Sequence, residues 1–440
     1  MIERLVRRAS KFPDLPLDPL EIHGLDSRDA ALAHAIDHAV AKRWLTLVAL
    51  IQSRLDRPWE RVQPELQAAL LAAAAQLFFL DRIPDHAAVD ESVEWVKRHV
   101  RPKAGGFVNA ILRSLIQLRG DREAPPMPPP KGRGVTDRDL GPDELPLADG
   151  RIMKLNAPAF AEDPQFRLAQ QTSHSEALIA HWSTAHGERA CRILCLHDVV
   201  EPPIIIAGMD DAGPPTSLLS PHRLPGFAVF NGSHFDLLEL LKSHSRARVQ
   251  DPTSARPAMA TRELRPRLIA DLCAGRGTKT AQLAGLHPAA GIIASDADPG
   301  RHQTLMERFA GHKRITVIDR SQWLDYAGRV DLLVLDVPCS NTGVLARRVE
   351  AKYRFSGTHL EEIVSLQRQI LADSLALRSA DGRVLYATCS ILRQENQEQA
   401  AWLTRWHGLE RESEELTMPA GLPCDPPAIY HDGGYWVLMK

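Results

Sequence analysis

Along the first quarter of the chain, apolar residues recur every three or four positions, which is the spacing of one helix face. Leu66, Leu70 and Leu77 share such a face, and Pro64 fits the first turn of the helix that carries them. The same spacing predicts further helices over residues 30–40, 87–100 and 106–118. The pattern therefore predicts an all-α bundle over residues 1–119.

The composition changes sharply after this region. Residues 120–150 contain proline pairs and triplets with scattered glycine and aspartate, and too few apolar side chains to pack. This composition predicts a Pro-rich linker. Residues 151–250 then predict a small α+β segment, with a helix over 175–186 and strands over 192–196 and 204–207.

From residue 251 to residue 440, short apolar runs alternate with helical patterns. The apolar runs cover residues 268–272, 291–294, 315–318, 332–335 and 384–387. This alternation is typical of an α/β Rossmann-like domain with a mostly parallel, doubly wound sheet. We therefore predict a multi-domain chain of the α bundle, the small α+β segment and this α/β domain.

Composition and charge are those of an ordinary globular protein. The chain has 440 residues, 44% of them hydrophobic and 25% charged, with a net charge of -2. This balance does not by itself indicate a nucleic-acid binder, which concentrates basic charge. Basic residues do cluster locally, in residues 97–119 without an acidic residue, and at Arg4, Arg7, Arg8 and Lys11. Such clusters either bind phosphates or form solvated helix faces.

No segment is predicted to enter a membrane or to hold a metal. The most apolar stretch, residues 66–80, is shorter than a bilayer span and is interrupted by glutamines. The first residues lack a signal-peptide pattern, so we predict a cytoplasmic protein. The six cysteines show no metal-ligand spacing, and Cys191 and Cys195 fall in a strand-like run. They are predicted to be reduced thiols.

Two cysteine-bearing loops follow the fourth and fifth apolar runs of the α/β region. Cys339 lies in the sequence Asp336–Ser340, and Cys389 lies between Thr388 and Ser390. The carboxyl ends of parallel strands meet at one edge of a sheet, where ligands bind. A single cysteine is often only a small buried hydrophobe. Two thiols at adjacent strand ends instead predict one pocket and thiolate chemistry.

A glycine-containing loop follows the first apolar run of the same region. Its residues are Cys273, Ala274, Gly275, Arg276, Gly277, Thr278 and Lys279. Glycines let a backbone approach a ligand closely, although a tight turn needs them for steric reasons alone. Asp296 ends the second run, where a carboxylate accepts ribose hydroxyls, and Asp319 ends the third, where it would receive an adenine amino group. Either aspartate alone is equally compatible with a cap or a turn.

Together these motifs resemble those of the Sun/RsmB-type ribosomal-RNA cytosine-5 methyltransferases. That family has a Cys-Ala-Ala-Pro-Gly-Gly-Lys loop, an Asp-Ala-Pro-Cys-Ser loop and a Tyr-Ala-Thr-Cys-Ser strand end. The corresponding segments here are residues 273–279, 336–340 and 386–390. The resemblance includes Gln394, Glu395 and Asn396 after the second cysteine. Residues 81–89 and 106–113 resemble the NusB-like RNA-binding domain of RsmB-type members.

The resemblance implies a methyltransferase that uses S-adenosylmethionine and forms a covalent bond to a cytosine in RNA. In this family the cysteine of the Thr-Cys-Ser motif, here Cys389, is the nucleophile that attacks C6. Asp336 would bind the cytosine edge beside the cofactor, and Cys339 would assist release of the methylated base. The cofactor site would comprise residues 273–279 with Asp296, Asp319 and Asp336. Small-subunit (16S) rRNA is the implied substrate, and residues 151–250 would guide it.

The chain departs from the family pattern in the cofactor loop. Gly275-Arg276-Gly277-Thr278 stands where the family has Ala-Pro-Gly-Gly, and Ala346 is an apparent insertion after the first cysteine loop. These departures leave two alternatives open. One is the same chemistry on tRNA or another RNA. The other is a catalytically weak RNA-binding factor in ribosome assembly. Nothing in the sequence predicts the oligomeric state.

Overall fold

A computed structural model describes residues 1–15, 20, 22–119, 138–209, 217–244 and 246–440. This part of the chain forms two compact units. The N-terminal unit comprises Met1–Glu201, Leu345–Ser356 and Leu422–Cys424. The C-terminal unit comprises Pro202–Val344, Gly357–Gly421 and Asp425–Lys440. Residues predicted as one α+β segment, 151–250, therefore divide between the two units.

The N-terminal unit begins with a bundle of α-helices, which confirms the all-α prediction. The helices are α1 (Ile2–Lys11), α2 (Ser27–Lys42), α3 (Trp44–Gln52), α4 (Pro64–Phe79), α5 (Asp85–His99) and α6 (Ala104–Arg119). Helix α4 packs against all five others, so its alanine and leucine side chains are buried on almost every side. Pro64 occupies its first turn, where the missing N–H leaves no bond unmade.

Some of the basic residues predicted as possible solvated clusters are buried instead. Arg8 Nη1 lies 2.8 Å and Arg4 Nε 3.3 Å from Asp37 Oδ1, so both arginines join α1 to α2. Arg119 donates to both carboxylate oxygens of Asp85, at 2.9 and 2.6 Å. Because buried charges need partners, these arginines stabilise the bundle and do not form a solvated face.

The rest of the N-terminal unit mixes helices with one hairpin. Its elements are β1 (Glu144–Pro146), β2 (Ile152–Lys154), α7 (Pro164–Thr172), α8 (Glu176–His186), α9 (Glu188–His197) and, from later in the chain, α14 (Ala351–Arg354). The helix predicted over 175–186 is confirmed, whereas the strand predicted over 192–196 is wrong, because these residues lie in α9. Of the predicted linker, residues 120–137 lie outside the described residues, and β1 lies within its last part.

A segment from the middle of the α/β region completes the core of the N-terminal unit. Tyr353 is buried, and its hydroxyl donates to the Ala41 carbonyl at 2.6 Å. Lys352 is fully buried, and its ammonium donates to the carbonyl of Asp198 at 3.2 Å. Residues 345–356 are thus an integral part of this unit.

The C-terminal unit contains a small antiparallel sheet with one helix. Its elements are β3 (Ile204–Ala207), β4 (Leu219–Pro221), β5 (Phe227–Phe230), α10 (His234–Ser243) and β6 (Arg248–Val249), and the strand order is β4-β5-β3-β6. The strand predicted over residues 204–207 is confirmed. Leu237 of α10 is buried with Ile206 and Phe230 of the sheet in one apolar cluster.

A seven-stranded sheet forms the larger part of this unit and confirms the predicted mostly parallel α/β fold. Its strands are β7 (Leu268–Asp271), β8 (Gly291–Ala294), β9 (Ile315–Val317), β10 (Val330–Asp336), β11 (Arg378–Thr388), β12 (Arg411–Thr417) and β13 (Gly434–Met439). Their order is β12-β13-β11-β10-β7-β8-β9, and only β13 runs antiparallel to its neighbours. The helices are α11 (Pro252–Ala260), α12 (Thr278–Leu286), α13 (Pro299–Arg308), α15 (Gly357–Ser374) and α16 (Gln397–His407).

The strand register determines which loops meet. Strand β10 pairs in parallel with both β7 and β11, and Asp336 at its end is the partner of Ala387. The residues that follow Asp336 and Ala387 therefore leave the sheet side by side. Within the described residues, no helix has both the length and the apolarity needed to cross a membrane.

Candidate active site

The thiols of Cys339 and Cys389 lie in contact at the carboxyl edge of the central strands. Their Sγ atoms are 3.1 Å apart, and both are free thiols. Cys339 belongs to the loop after β10, residues 336–344, which we term the first cysteine loop. Cys389 follows β11 in residues 388–392, the second cysteine loop. The structure thus brings together the two thiols that the strand ends predicted to share a pocket.

The two cysteines differ in their surroundings. Cys339 is buried, whereas Cys389 is partly exposed. The hydrogen bond with Cys389, together with burial, raises the pKa of the Cys339 thiol well above its usual value. Cys339 is therefore a protonated thiol near neutral pH, and Cys389 is the thiol that a ligand can reach.

Asn341 contacts the second thiol and was not predicted from the sequence. Its Oδ1 accepts a hydrogen bond from Cys389 Sγ at 3.1 Å, and its Nδ2 donates to the Cys339 carbonyl at 3.0 Å. Its φ is +62°, a left-handed conformation that asparagine tolerates better than most residues. That tolerance was the only sequence signal for this position.

Asp336 is paired with a lysine from the glycine-containing loop. Lys279 Nζ donates to Asp336 Oδ2 at 2.7 Å and to Ser254 Oγ at 3.2 Å. Burial by itself lowers the pKa of Lys279, but the charge and the hydrogen bond of Asp336, together with the charges of Cys389 and Asp271, outweigh burial, so the net pKa is raised. Lys279 therefore stays charged, and this ion pair joins the glycine-containing loop to the first cysteine loop.

The glycines of that loop occupy positions that other residues adopt at a cost. Gly275 has a φ of +58°, its N–H donates to Asp296 Oδ2 at 2.9 Å, and nothing lies within 4 Å of where a Cβ would be. Gly277 has a φ of +80°, and a Cβ there would come 2.5 Å from the Phe309 ring. Thr278 begins α12 and has an ordinary helical position. The loop therefore presents an open backbone face beside Asp296.

The other predicted cofactor residues take different positions. Ala274 is buried, and its N–H donates to the Ser295 carbonyl, while the Arg276 side chain is exposed. Cys273 is partly buried, and burial raises the pKa of its thiol. The Asp319 side chain is largely exposed, and its N–H donates to Gln322 Oε1 at the start of a short 3-10 helix. The contacts of Asp319 are those of a cap, so its adenine-binding role stays a prediction.

Asp271 at the end of β7 is a second residue that the sequence did not single out. Its carboxylate is fully buried, and Oδ2 accepts a hydrogen bond from Thr280 Oγ1 at 2.7 Å. Its Oδ1 has no hydrogen-bond partner among the described residues. Burial raises its pKa to about 7. A buried polar atom without a partner beside an open loop fits a site that receives a donor group from a ligand.

Two family models match the chain, one on each side of residue 200. The model of the 16S rRNA methyltransferase RsmB/F matches residues 261–422, and the model of the NusB family matches residues 8–117. Residues 261–422 are thus similar to the RsmB/F methyltransferases, and residues 8–117 are similar to the NusB family. The match to the first model includes both cysteine loops and the glycine-containing loop, and the second lies on the helical bundle.

Curated relatives align over most of their length. A ribosomal RNA small subunit methyltransferase B from Xanthomonas campestris is 29% identical over 389 residues, 85% of this chain and 79% of that protein. The protein of the same name from Cronobacter sakazakii is 26% identical over 448 residues, 100% of this chain and 96% of that protein. The crystal structure of PH0851 has a TM-score of 0.67 at 19% identity and covers 95% of this chain and 91% of that one. This structural similarity shows a shared fold.

The geometry explains how the chain tolerates the substitutions in its glycine-containing loop. The two positions with positive φ, Gly275 and Gly277, are glycines, and the replaced glycine falls at Thr278, where the backbone is helical. The backbone shape therefore does not depend on the missing glycine. Among the described residues, no group of three or more His, Cys, Asp or Glu side chains could hold a metal ion.

We expect Asp271→Asn to remove a pH dependence of the free energy of unfolding. A carboxyl whose pKa is 3.8 when unfolded and about 7 when folded binds its proton more tightly in the folded state. Its contribution to stability is therefore full below about pH 4 and is lost as the pH rises to about 7. Three pKa units correspond to about 4 kcal/mol. Asparagine keeps an oxygen for Thr280 and does not titrate.

Urea unfolding of wild type and variant between pH 4.5 and 7.5 measures this effect. The free energy of unfolding of the variant, minus that of wild type, should increase across this range. Asp325→Asn, a change of an exposed carboxylate, serves as a control. The difference between its free energy of unfolding and that of wild type should not change with pH. Parallel curves for wild type and Asp271→Asn would show that Asp271 does not titrate in this range.

Proposed function

We propose that this protein transfers a methyl group from S-adenosylmethionine to C5 of a cytosine in small-subunit (16S) rRNA, through a covalent bond between Cys389 and C6. The observation that carries the proposal is the 3.1 Å approach of Cys339 and Cys389 at the ends of adjacent strands. Asp336 at the end of β10 supplies a carboxylate to the same strand edge. The similarity of residues 261–422 to a family of 16S rRNA methyltransferases supports this substrate.

The residues around the glycine-containing loop fit S-adenosylmethionine. Gly275 leaves its backbone face open, and each carboxylate oxygen of Asp296 accepts one backbone N–H, from Gly275 and Asp298. A carboxylate has about four acceptor sites, so Asp296 keeps capacity for ribose hydroxyls. The unpartnered Oδ1 of Asp271 can accept a further hydrogen bond. When bound, the cofactor would supply an electrophilic methyl group.

The Cys389 thiolate makes C5 of cytosine nucleophilic. By itself, this carbon is too weak a nucleophile to take a methyl group. Addition of the Cys389 thiolate forms an S–C6 bond and moves an electron pair to C5, which then bonds to the methyl carbon. Transfer of the C5 proton to a water molecule then reforms the C5–C6 double bond, breaks the S–C6 bond and returns Cys389 as a thiolate. Cys339, in contact with Cys389, assists this elimination, and Asp336 accepts a hydrogen bond from the cytosine edge.

The target cytosine must be out of any base stack, because attack at C6 comes from above the ring plane. Exposed basic residues on the NusB-family bundle, Arg101, Lys103 and Arg113, offer contacts to RNA phosphates. The assembly-factor alternative depends on a cofactor loop damaged by its substitutions. The left-handed positions retain their glycines, so the loop offers no support for that alternative.

A product assay tests the proposal. The purified protein is incubated with S-adenosylmethionine labelled on its methyl group and with protein-free small-subunit rRNA, and a tRNA pool serves as a second substrate. The RNA is digested to nucleosides, and label in 5-methylcytosine from rRNA is the expected result. Label in tRNA alone would replace the substrate assignment. Absence of label from both, with no cofactor binding, would favour the assembly-factor alternative.

A further inference from the structure

One buried carboxylate connects the two cysteine loops. Glu395 is fully buried in a short 3-10 helix after β11. Its Oε1 accepts hydrogen bonds from Ser340 N at 2.8 Å and from Gln367 Nε2 at 3.0 Å. Its Oε2 accepts hydrogen bonds from the hydroxyls of Ser340 and Ser390. Ser340 and Ser390 are the residues directly after Cys339 and Cys389.

The charge of Glu395 is stabilised by these donors. Among the described residues, no lysine, arginine or histidine forms an ion pair with it. A buried carboxylate is costly unless its oxygens are fully hydrogen-bonded, so the four donors cannot separate without penalty. Because those donors come from both cysteine loops and from α15, one side chain constrains three separate segments.

Further hydrogen bonds from β11 hold Glu395 and the residue after it. The Tyr386 hydroxyl, buried on β11, donates to the Glu395 carbonyl at 2.6 Å and lies 3.2 Å from Gln367 Oε1. Asn396 accepts from Thr388 Oγ1 at 2.6 Å and donates to the Ser390 carbonyl at 2.9 Å. These bonds hold the backbone of residues 395 and 396, from which the carboxylate reaches both cysteine loops.

We propose that Glu395 is a positioning residue that holds the Cys339 and Cys389 thiols in contact by anchoring both cysteine loops to one buried carboxylate. Glu395 does not itself touch either sulfur. Its consequence for catalysis rests on the proposed function, whereas its consequence for the position of the thiols does not. Competing links join the two loops directly. Gly343 N donates to the Cys389 carbonyl at 2.9 Å, Ile391 N donates to Thr342 Oγ1 at 3.2 Å, and Cys389 Sγ donates to Asn341 Oδ1 at 3.1 Å.

The length of Glu395 and its two polar end atoms matter more than its charge. Glutamine has the same length, keeps one oxygen for Ser340 N and Gln367, and presents an amide that the two serine hydroxyls can accept from after rotating. Aspartate keeps the charge but is one methylene too short to reach both loops. Alanine removes both acceptors. Glu395→Gln is thus the conservative variant that preserves the loops, and Glu395→Asp and Glu395→Ala are the variants that release them.

Thiol alkylation measures the loops without depending on methyl transfer. Free protein is treated with iodoacetamide, and the labelling rate of each cysteine is followed by peptide mass spectrometry, with Cys273 as an internal reference. Cys339 is buried in the wild type, so local opening limits its rate. We expect Cys339 to react at least about tenfold faster in Glu395→Ala and Glu395→Asp, and within about twofold of wild type in Glu395→Gln.

Two controls separate positioning from general destabilisation. Glu398→Gln changes an exposed carboxylate three residues away and should leave every rate unchanged. Thermal melting identifies any variant that fails to fold. If Glu395→Ala fails to fold, wild type is compared with Glu395→Asp instead. Equal Cys339 rates in wild type, Glu395→Asp and Glu395→Ala would overturn the proposal and assign the alignment to the direct links between the two loops.

Steady-state kinetics then test the catalytic consequence. We expect kcat for methyl transfer to fall about 10- to 100-fold in Glu395→Ala, with KM for S-adenosylmethionine unchanged, because misplaced reacting groups slow the chemical step. Glu395→Gln should recover most of the rate. Faster Cys339 labelling with an unchanged kcat would overturn the catalytic part. A wild type without transfer activity would refute the proposed function, and the labelling rates would still decide the positioning.

Discussion

Replacing Cys389 by alanine is expected to lower methyl transfer to rRNA by at least about a thousandfold, because the variant has no nucleophile to add to C6. Cys389 is the more accessible of the two thiols in contact, and it lies at the carboxyl-terminal ends of strands β10 and β11. Incorporation of labelled methyl into 5-methylcytosine measures the effect. The variant should still fold, because Cys389 is partly exposed and its replacement by the smaller alanine leaves little buried space unfilled.

The matched control for this change is Cys424→Ala, which removes an exposed thiol of the N-terminal unit. That variant should transfer methyl groups at the wild-type rate. Binding of S-adenosylmethionine, measured by calorimetry, should be equal in both variants and wild type. If Cys389→Ala retained activity within about tenfold of wild type, the covalent mechanism through this residue would have to be abandoned.

Replacing Cys339 by alanine is expected to have the opposite signature, namely accumulation of a covalent protein–RNA adduct. Cys389 can still add to C6 and the base can still be methylated, but release of the product loses its assisting thiol. The hydrogen bond with Cys389 and burial raise the pKa of Cys339, so this thiol retains its proton near neutral pH. A band of retarded mobility on a denaturing gel, sensitive to ribonuclease, measures the adduct.

The double variant Cys339→Ala with Cys389→Ala is the control for the second prediction. It should form no adduct, because the atom that bonds to C6 is absent. Adduct in the double variant would place the covalent bond on another residue. No adduct in Cys339→Ala, combined with wild-type turnover, would remove Cys339 from the release step.

The strands that carry the site could be predicted because each is an apolar run buried on both faces of the sheet. The five runs from residue 268 to residue 387 all form strands. The run over 192–196 is just as apolar but lies in α9, where Cys191, Leu194 and Cys195 recur at helical spacing. Short apolar runs do not distinguish a strand from a buried helix, so this prediction was wrong.

The sequence predicted only those parts of the site that lie directly after the ends of strands. Two thiols after neighbouring strands had to meet, and they do. The contacts of Asn341 with Cys389, and of Glu395 with both loops, depend on side-chain orientations that no local pattern specifies. The burial of Arg4 and Arg8 likewise depends on Asp37, which is distant in sequence and visible only when α1 packs on α2.

The incorporation of residues 345–356 into the N-terminal unit has a practical meaning for dissecting this protein. A fragment of residues 1–201 would lack Tyr353 and Lys352, leaving a cavity in its core and the Ala41 and Asp198 carbonyls without these donors. A fragment of residues 202–440 would contain Tyr353 and Lys352 but would lack the helices of the N-terminal unit that bury them. The chain therefore cannot be cut into two autonomous halves at a single point, and a separable N-terminal fragment would need residues 345–356 attached to it.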